Sequence, residues 1–265
     1  MTNLPRTLQK GRSFRKKLTE GQKVSGAWST LGSAEIAFLL ARAGLDYVLV
    51  DLEHGKGGVD GLAAQVLALG ALEAAVMVRL PDHGPGDIKR ILDSGANALL
   101  VPQVNSAAEA RAVIDAALFS PEGQRGVAVG AIAASDYGYE PESYFQNAND
   151  ALTILVQIES REAVAALSEI LAVERIDGIF IGPNDLSAAM GLFRDYEHPE
   201  FLEVFENIQK KTIAAGKIFG ALPTPNFDPA VLFAQGAQVV PALADQSLLR
   251  NGALAAVAAV KEANS

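Results

Sequence analysis

The chain has 265 residues, 49% hydrophobic and 20% charged, with a formal net charge of −9. That length supports one large core in a single domain over residues 1–265, and the negative balance argues against nucleic acid, since no basic surface is at hand to displace counterions from phosphates. With no cysteine there are no disulfides, thiolate metal sites or cysteine nucleophiles, and with no run near the roughly 18 apolar residues of a membrane span the expected location is the cytoplasm.

The chain opens with a basic stretch in which Arg6, Lys10, Arg12, Arg15, Lys16 and Lys17 precede the first acid, Glu20. No apolar signal-peptide core accompanies them. Residues 13–20 are expected to form a short surface helix, with Phe14 and Leu18 packing down at i,i+4 and the charges solvated. Beyond it, apolar strand-like runs alternate with helical segments, the pattern of a parallel α/β fold. Strands are expected at residues 24–28, 47–51, 76–80, 98–102, 153–158, 178–181, 218–222 and 238–241. That is the complement of a (β/α)₈ TIM barrel of about 250 residues. Ser33 is the expected N-cap of a helix over 34–43 that Gly44 stops. Similar signals place helices over 87–94, ending at Gly95, and over 107–118 and 160–171.

Residues 119–150 break the pattern, with no buried strand, a Gly123-Gln124-Arg125-Gly126 stretch and three tyrosines, Tyr137, Tyr139 and Tyr144. A connection of this length inside a compact domain is usually functional or an oligomer contact. Its place after the fourth strand predicts that it starts on the catalytic rim. The last segment, 247–263, is an Ala- and Leu-rich helix with a generous apolar face, expected to pack on another subunit.

In such a barrel, polar residues at the C-terminal strand ends are catalytic. The second strand ends in Asp51-Leu52-Glu53-His54, the third in Arg79, the fifth in Gln157 and Glu159, and the sixth in Asn184 and Asp185. Glu159 and Asp185 are 26 residues apart, close to the roughly 30 of one strand plus one helix, so the two carboxylates fall on neighbouring strand ends. Hard oxygen ligands at a catalytic face suit Mg²⁺ or Mn²⁺ with positions left for water and substrate. A guanidinium at the end of an apolar strand calls for an anion to meet it. Each feature also has a plainer account. Glu159 serves equally as an acid at the positive end of the following helix, Gly182-Pro183-Asn184-Asp185 as a tight turn with a capping side chain, and His54 as a structural histidine. His83 and His198, in Gly- or Pro-flanked loops, are expected to be solvent-exposed.

Seven stretches in order resemble the metal-dependent class II pyruvate aldolases of the 4-hydroxy-2-oxoheptanedioate aldolase type (HpcH/HpaI). They are Gly26-Ala27-Trp28, Asp51-Leu52-Glu53-His54, Val78-Arg79, the run from Ile88 to Ala96, Gly123-Gln124-Arg125-Gly126, Gln157-Ile158-Glu159, and the run from Ile181 to Ser187. The resemblance implies that Glu159 and Asp185 bind a divalent ion (Mg²⁺, Mn²⁺ or Co²⁺) and that pyruvate chelates it. Backbone N–H groups at Asn184 and Asp185, beside Gly182 and Pro183, would hold the pyruvate carboxylate. Arg79 would contact the C2 oxygen. His54, oriented by Asp51 or Asp93, would assist proton transfer, while Gln157 and Trp28 shape the pocket. It further implies a homohexamer built from dimers, with the terminal helix exchanged between barrels and Asp93 and parts of 119–150 helping to complete an adjacent site.

The chain departs from the resemblance at the last strand, which reads Val240-Pro241-Ala242-Leu243-Ala244-Asp245 in place of a Val-Gly-Ser kind of turn. With Leu222-Pro223-Thr224-Pro225, this leaves the acceptor aldehyde open. The expected activity is reversible cleavage of 4-hydroxy-2-oxo acids to pyruvate, or hydroxypyruvate, and an aldehyde. The rivals are a related lyase acting on an acyl-CoA or on oxaloacetate, and a silent barrel that binds a small acid. A Schiff-base aldolase would need a lysine, and Lys23, Lys217 and Lys56 are poorly placed for it.

Overall fold

Eight parallel strands follow one another in chain order and close on themselves: β1 (Val24–Ser29), β2 (Tyr47–Asp51), β3 (Ala75–Arg79), β4 (Ala98–Val101), β5 (Thr153–Ile158), β6 (Gly178–Ile181), β7 (Ile218–Ala221) and β8 (Val239–Ala244). This computed structural model describes residues 4–263. α1 (Arg6–Thr19) precedes the barrel, and α2 (Ala34–Arg42), α3 (Gly58–Leu69), α4 (Pro85–Asp93) and α5 (Ala107–Ala117) follow the first four strands. α6 (Pro141–Ala151) leads into β5, which is followed by the short α7 (Arg161–Ala165) and α8 (Leu167–Leu171). α9 (Pro183–Ala189) and α10 (Pro199–Ala214) separate β6 from β7, α11 (Pro229–Ala234) separates β7 from β8, and α12 (Asp245–Ala263) ends the chain.

The strands form because both of their faces are buried, the condition under which a strand reads as a near-continuous apolar run. One set of alternating side chains, including Val48, Val50, Val76, Val78, Leu99, Val101, Val156 and Ile179, packs beneath the helices. The other set, Val24, Trp28, Tyr47, Leu49, Met77, Leu100, Leu155, Phe180 and Val239, fills the barrel. Gly26 belongs to the crowded inner layer, where an added β-carbon would sit 2.3 Å from the Tyr47 ring.

The structure corrects four expectations. The first helix begins right after Pro5 and runs from Arg6, and it is a floor to the barrel rather than a surface element: Phe14 and Leu18 join the inner cluster. Its charges hold it there, with Arg15 paired to Asp177 at 2.6 Å and Lys17 to Asp46 at 2.7 Å, on the chain just before β6 and β2. The 119–150 connection starts at that same floor and not on the catalytic rim, because α5 first carries the chain back down the barrel. It folds into a tight turn over Ala133–Gly138 and then α6, both against α1, where the Thr7 hydroxyl donates to the Ala134 carbonyl at 2.6 Å. The helix expected over 160–171 is two, broken at Ala166. His83 and His198 are half-buried, and His198 Nδ1 accepts from the Glu200 N–H at 3.3 Å at the start of α10. The strands and the stops at Gly44 and Gly95, both at positive φ, agree with expectation.

Candidate active site

Period-two alternation decides what reaches the barrel mouth. Tyr47 and Leu49 point inward, so Asp51 does too; Ala75 and Met77 lead to Arg79, and Leu155 leads to Gln157 and on to Glu159. Register then sets neighbours side by side, with Asp51 opposite Arg79 and Gln157 opposite Phe180. The resulting cavity, about 560 Å³, opens at the C-terminal rim and is lined by Trp28, Asp51, His54, Arg79, Gln157 and Gly182 to Asp185, among others.

Arg79 is fixed from three sides. Its Nε donates to Asp51 Oδ1 at 2.9 Å and its Nη2 to Asp51 Oδ2 at 2.6 Å, a bidentate pair. Its Nη1 lies 2.8 Å from Glu53 Oε2, and its guanidinium stacks over Trp28 at 4.8 Å. Trp28 Nε1 donates to the same Asp51 carboxylate at 3.1 Å, as do the backbone N–H groups of Glu53 and His54 at 3.1 and 3.3 Å. Burial alone would push the Asp51 carboxyl up, but the hydrogen bonds and charge of Arg79, with Trp28 and the His54 N–H, hold it below the usual carboxylate range. Asp51 is therefore a clamp on Arg79 and Trp28. It fixes His54 through the backbone and makes no bond to the imidazole, whose Nε2 stands 4.0 Å from Glu53 Oε2.

Glu159 is the second centre. It is 5% exposed, accepts the Gln103 N–H on Oε1 at 2.8 Å and accepts from Gln157 Nε2 on Oε2 at 2.7 Å. It does not cap the following helix, because Ser160 does so by accepting from the Ala163 N–H. Burial raises its pKa to about 7 against the Gln103 hydrogen bond, and the negative charges of Asp185 and Glu53 add to the rise while Arg79 opposes it. Beside it, after the adjacent β6, Gly182 and Pro183 start α9, with Asn184 and Asp185 exposed in its first turn. Neither caps the helix; the Asn184 side chain instead accepts from the Tyr196 hydroxyl. Gly182 is fixed by proximity, since a β-carbon there would meet Glu159 Oε2 at 2.6 Å and Gln157 Nε2 at 2.9 Å.

Of the residues expected at the site, Trp28, Asp51, His54, Arg79, Gln157, Glu159, Gly182, Pro183, Asn184 and Asp185 come together at one mouth. Asp93 does not join them. It ends α4, at the opposite end of the barrel from its strand's rim, and pairs there with the buried Arg125 at 2.7 Å. Expectation placed Glu53 on the rim without giving it a role, and it missed Gln103. Glu53 has a carboxyl pushed up by burial against the pull of Arg79, and its only sequence signal was its place next to a strand end. Gln103, at φ 53°, holds Glu159 through its backbone, which no side-chain pattern announces. At the rim beside β1, buried Asp245 accepts the N–H groups of Thr30 and Leu31 at 3.0 and 2.9 Å, tying the root of α12 to the loop after that strand.

Two carboxylates on adjacent strand ends offer hard oxygen donors facing a cavity, and the buried Oε1 of Gln157 beside them has no hydrogen-bond partner. Among the described residues no group of three or more His, Cys, Asp or Glu gathers as a metal cluster. An ion such as Mg²⁺, which commonly relies on one or two carboxylates plus water and substrate, fits that donor set.

The arrangement is that of a barrel enzyme with paired carboxylates and a fixed guanidinium at its C-terminal mouth. The chain belongs to the HpcH/HpaI aldolase/citrate lyase family, whose profile matches residues 24–252, and it is a carbon–carbon lyase. It is 40% identical over 246 residues to a protein of Salmonella typhimurium named 4-hydroxy-2-oxo-heptane-1,7-dioate aldolase, covering 93% of each chain. A solved HpcH/HpaI aldolase/citrate lyase family protein from Burkholderia cenocepacia superposes with a TM-score of 0.89 at 30% identity, over 94% of this chain and 99% of that one. An HpcH/HpaI aldolase from Desulfitobacterium hafniense gives 0.86 at 30% identity, over 94% and 96%.

Proposed function

We propose that the protein is a divalent-metal-dependent class II aldolase that reversibly cleaves 4-hydroxy-2-oxo acids to pyruvate, or hydroxypyruvate, and an aldehyde. The observation that carries this reading is the buried Glu159, surrounded by acid charge and held by Gln103 and Gln157 at the mouth that Asp185 shares. Glu159 and Asp185 would hold the ion, be it Mg²⁺, Mn²⁺ or Co²⁺. When bound, it supplies Lewis-acid stabilisation of the negative charge that develops on the C2 oxygen.

The chain's own groups supply the rest. In cleavage the C4 hydroxyl loses its proton, the C3–C4 bond breaks, and its electron pair passes to the C2 carbonyl as an enolate. A proton then arrives at C3 to give pyruvate. Arg79 donates two of its five N–H groups to Asp51 and faces Glu53 as an ion pair through Nη1; N–H groups not bound to Asp51 would meet the C2 oxygen as charge builds there. The N–H groups of Asn184 and Asp185 precede the hydrogen bonding of α9 and would take the acid's carboxylate. His54, two-thirds exposed beside Glu53, is the proton carrier at the rim. Trp28 walls the pocket while holding Arg79 flat. No lysine lines the cavity, which disfavours a Schiff base.

The assembly follows from α12. From Leu248 it is exposed along its described length, with Leu248 and Leu249 at 55%, Leu254 at 64% and Val260 at 61%. That much apolar surface on a helix asks for cover. We infer that it is exchanged between barrels of a cytoplasmic homohexamer, in which Asp93 would act only in a neighbour's site. Incubating the protein and Mg²⁺ or Mn²⁺ with pyruvate or hydroxypyruvate and a panel of aldehydes, then identifying products, tests the activity. Ligand binding without turnover for any pair would identify a silent barrel instead.

A further inference from the structure

The cavity divides into two halves of unlike chemistry. The half built on β2, β3 and the loop after β6 carries every ionisable side chain in the lining: Asp51, His54, Arg79 and Asp185. The half built on the ends of β7 and β8 is Leu222, Pro223, Pro241, Ala242, Leu243 and Ala244, edged by Thr30, Gln246 and Ser247. That second half contains no lysine or arginine. Lys56, in the loop after β2, and Arg250, one turn into α12, are exposed and outside the lining. Arg79 is already committed to Asp51 and Glu53.

The oxo-acid end of the substrate needs the charged half, so the aldehyde portion extends along the apolar wall. We propose that this wall selects an uncharged aldehyde and discriminates against one whose far end carries a carboxylate. The assignment rests on the aldolase reading for the charged half and adds the class of acceptor. A carboxylate brought against these proline, leucine and alanine side chains gives up hydration and gains no ionic partner from this barrel's wall. An alkyl chain gains burial there instead. The hydroxyl and amide groups of Thr30, Gln246 and Ser247 at the edge offer hydrogen bonds to a hydroxylated acceptor but no countercharge.

Butanal and 4-oxobutanoate share a four-carbon chain and differ in the terminal charge. Initial rates of addition of pyruvate to each, with the intact protein and Mg²⁺, should give a kcat/KM at least about tenfold higher for butanal, equivalent to about 1.4 kcal/mol in the transition state. Ala242→Arg, which puts a cation on the wall, should shift that ratio toward 4-oxobutanoate by a similar factor. Deuterium uptake at C3 of pyruvate in D₂O, without aldehyde, reads the charged half by itself. Uptake accompanied by 4-oxobutanoate reacting as well as butanal, or better, overturns the acceptor assignment and leaves the aldolase reading standing. No uptake and no product with either aldehyde overturns both.

Discussion

Arg79 lies over the ring of Trp28 at 4.8 Å, and one carboxylate, Asp51, accepts hydrogen bonds from both side chains. All three are under 10% exposed. The guanidinium proposed to meet the substrate is thus held in place beforehand, which is the preorganisation that makes electrostatic stabilisation effective.

Arg79→Lys keeps the charge and loses the fork that Asp51 and Glu53 grip. Turnover of a 4-hydroxy-2-oxo acid should fall at least about tenfold, or about 1.4 kcal/mol, and oxalate, a mimic of the enolate, should bind more weakly. Calorimetric titration with oxalate is the check; an unchanged affinity in Arg79→Ala would remove Arg79 from the C2 oxygen.

Gly182→Ala should act on the metal and spare the barrel. Its β-carbon would arrive 2.6 Å from Glu159 Oε2, so the carboxylate must move. The Mg²⁺ or Mn²⁺ dissociation constant should rise at least about tenfold, about 1.4 kcal/mol, with an unaltered far-ultraviolet circular dichroism spectrum. Wild-type metal affinity in this variant would contradict the assignment of Glu159.

Stability of the metal-free protein should depend on pH through the same residue. Glu159 titrates at about 7, above its ordinary 4.5, so between those values the folded chain keeps a proton that the unfolded chain releases. The contribution to stability therefore falls as pH rises through that window and is level above it. Glu159→Gln should remove this component, read as the difference between wild-type and variant melting temperatures in chelator at pH 5 and pH 8. Metal binding near neutral pH should release a proton, measurable as a buffer-dependent enthalpy. Parallel pH trends in the two proteins would argue that Glu159 ionises normally.

Removing the residues beyond Leu248 should cost both assembly and activity, because from Leu248 onward the described part of α12 is exposed on its own barrel. Light scattering at micromolar concentration checks this. A fully active monomer would defeat the exchanged-helix arrangement.

The strands were legible because burial on both faces leaves an uninterrupted apolar run, and Asp51, Arg79 and Glu159 stood out as charges that end such runs. The pairing of Glu53 with Arg79 and the place of Gln103 were hidden for a geometric reason. Each residue lies past its strand, where the direction of a side chain or an N–H depends on how the loop closes over neighbouring strands. Asp93 shows the converse limit. A helix's last residue returns to the far end of the barrel, so within one barrel Asp93 meets Arg125 and not His54, and its expected part in an adjacent site belongs to the assembly. The connection over 119–150 was misplaced by the same count of one helix.

Asp245 joins two matters that are usually separable in an enzyme. Its carboxylate seats the loop after β1 while its backbone begins α12, and the residues on either side of it, Ala244 and Gln246, line the cavity. A load on the terminal arm would be felt at this lip of the cavity. Engineering a freestanding, single-barrel catalyst from this chain would therefore mean rebuilding that lip, and altering the lip to admit new aldehydes would register in how firmly the arm is set.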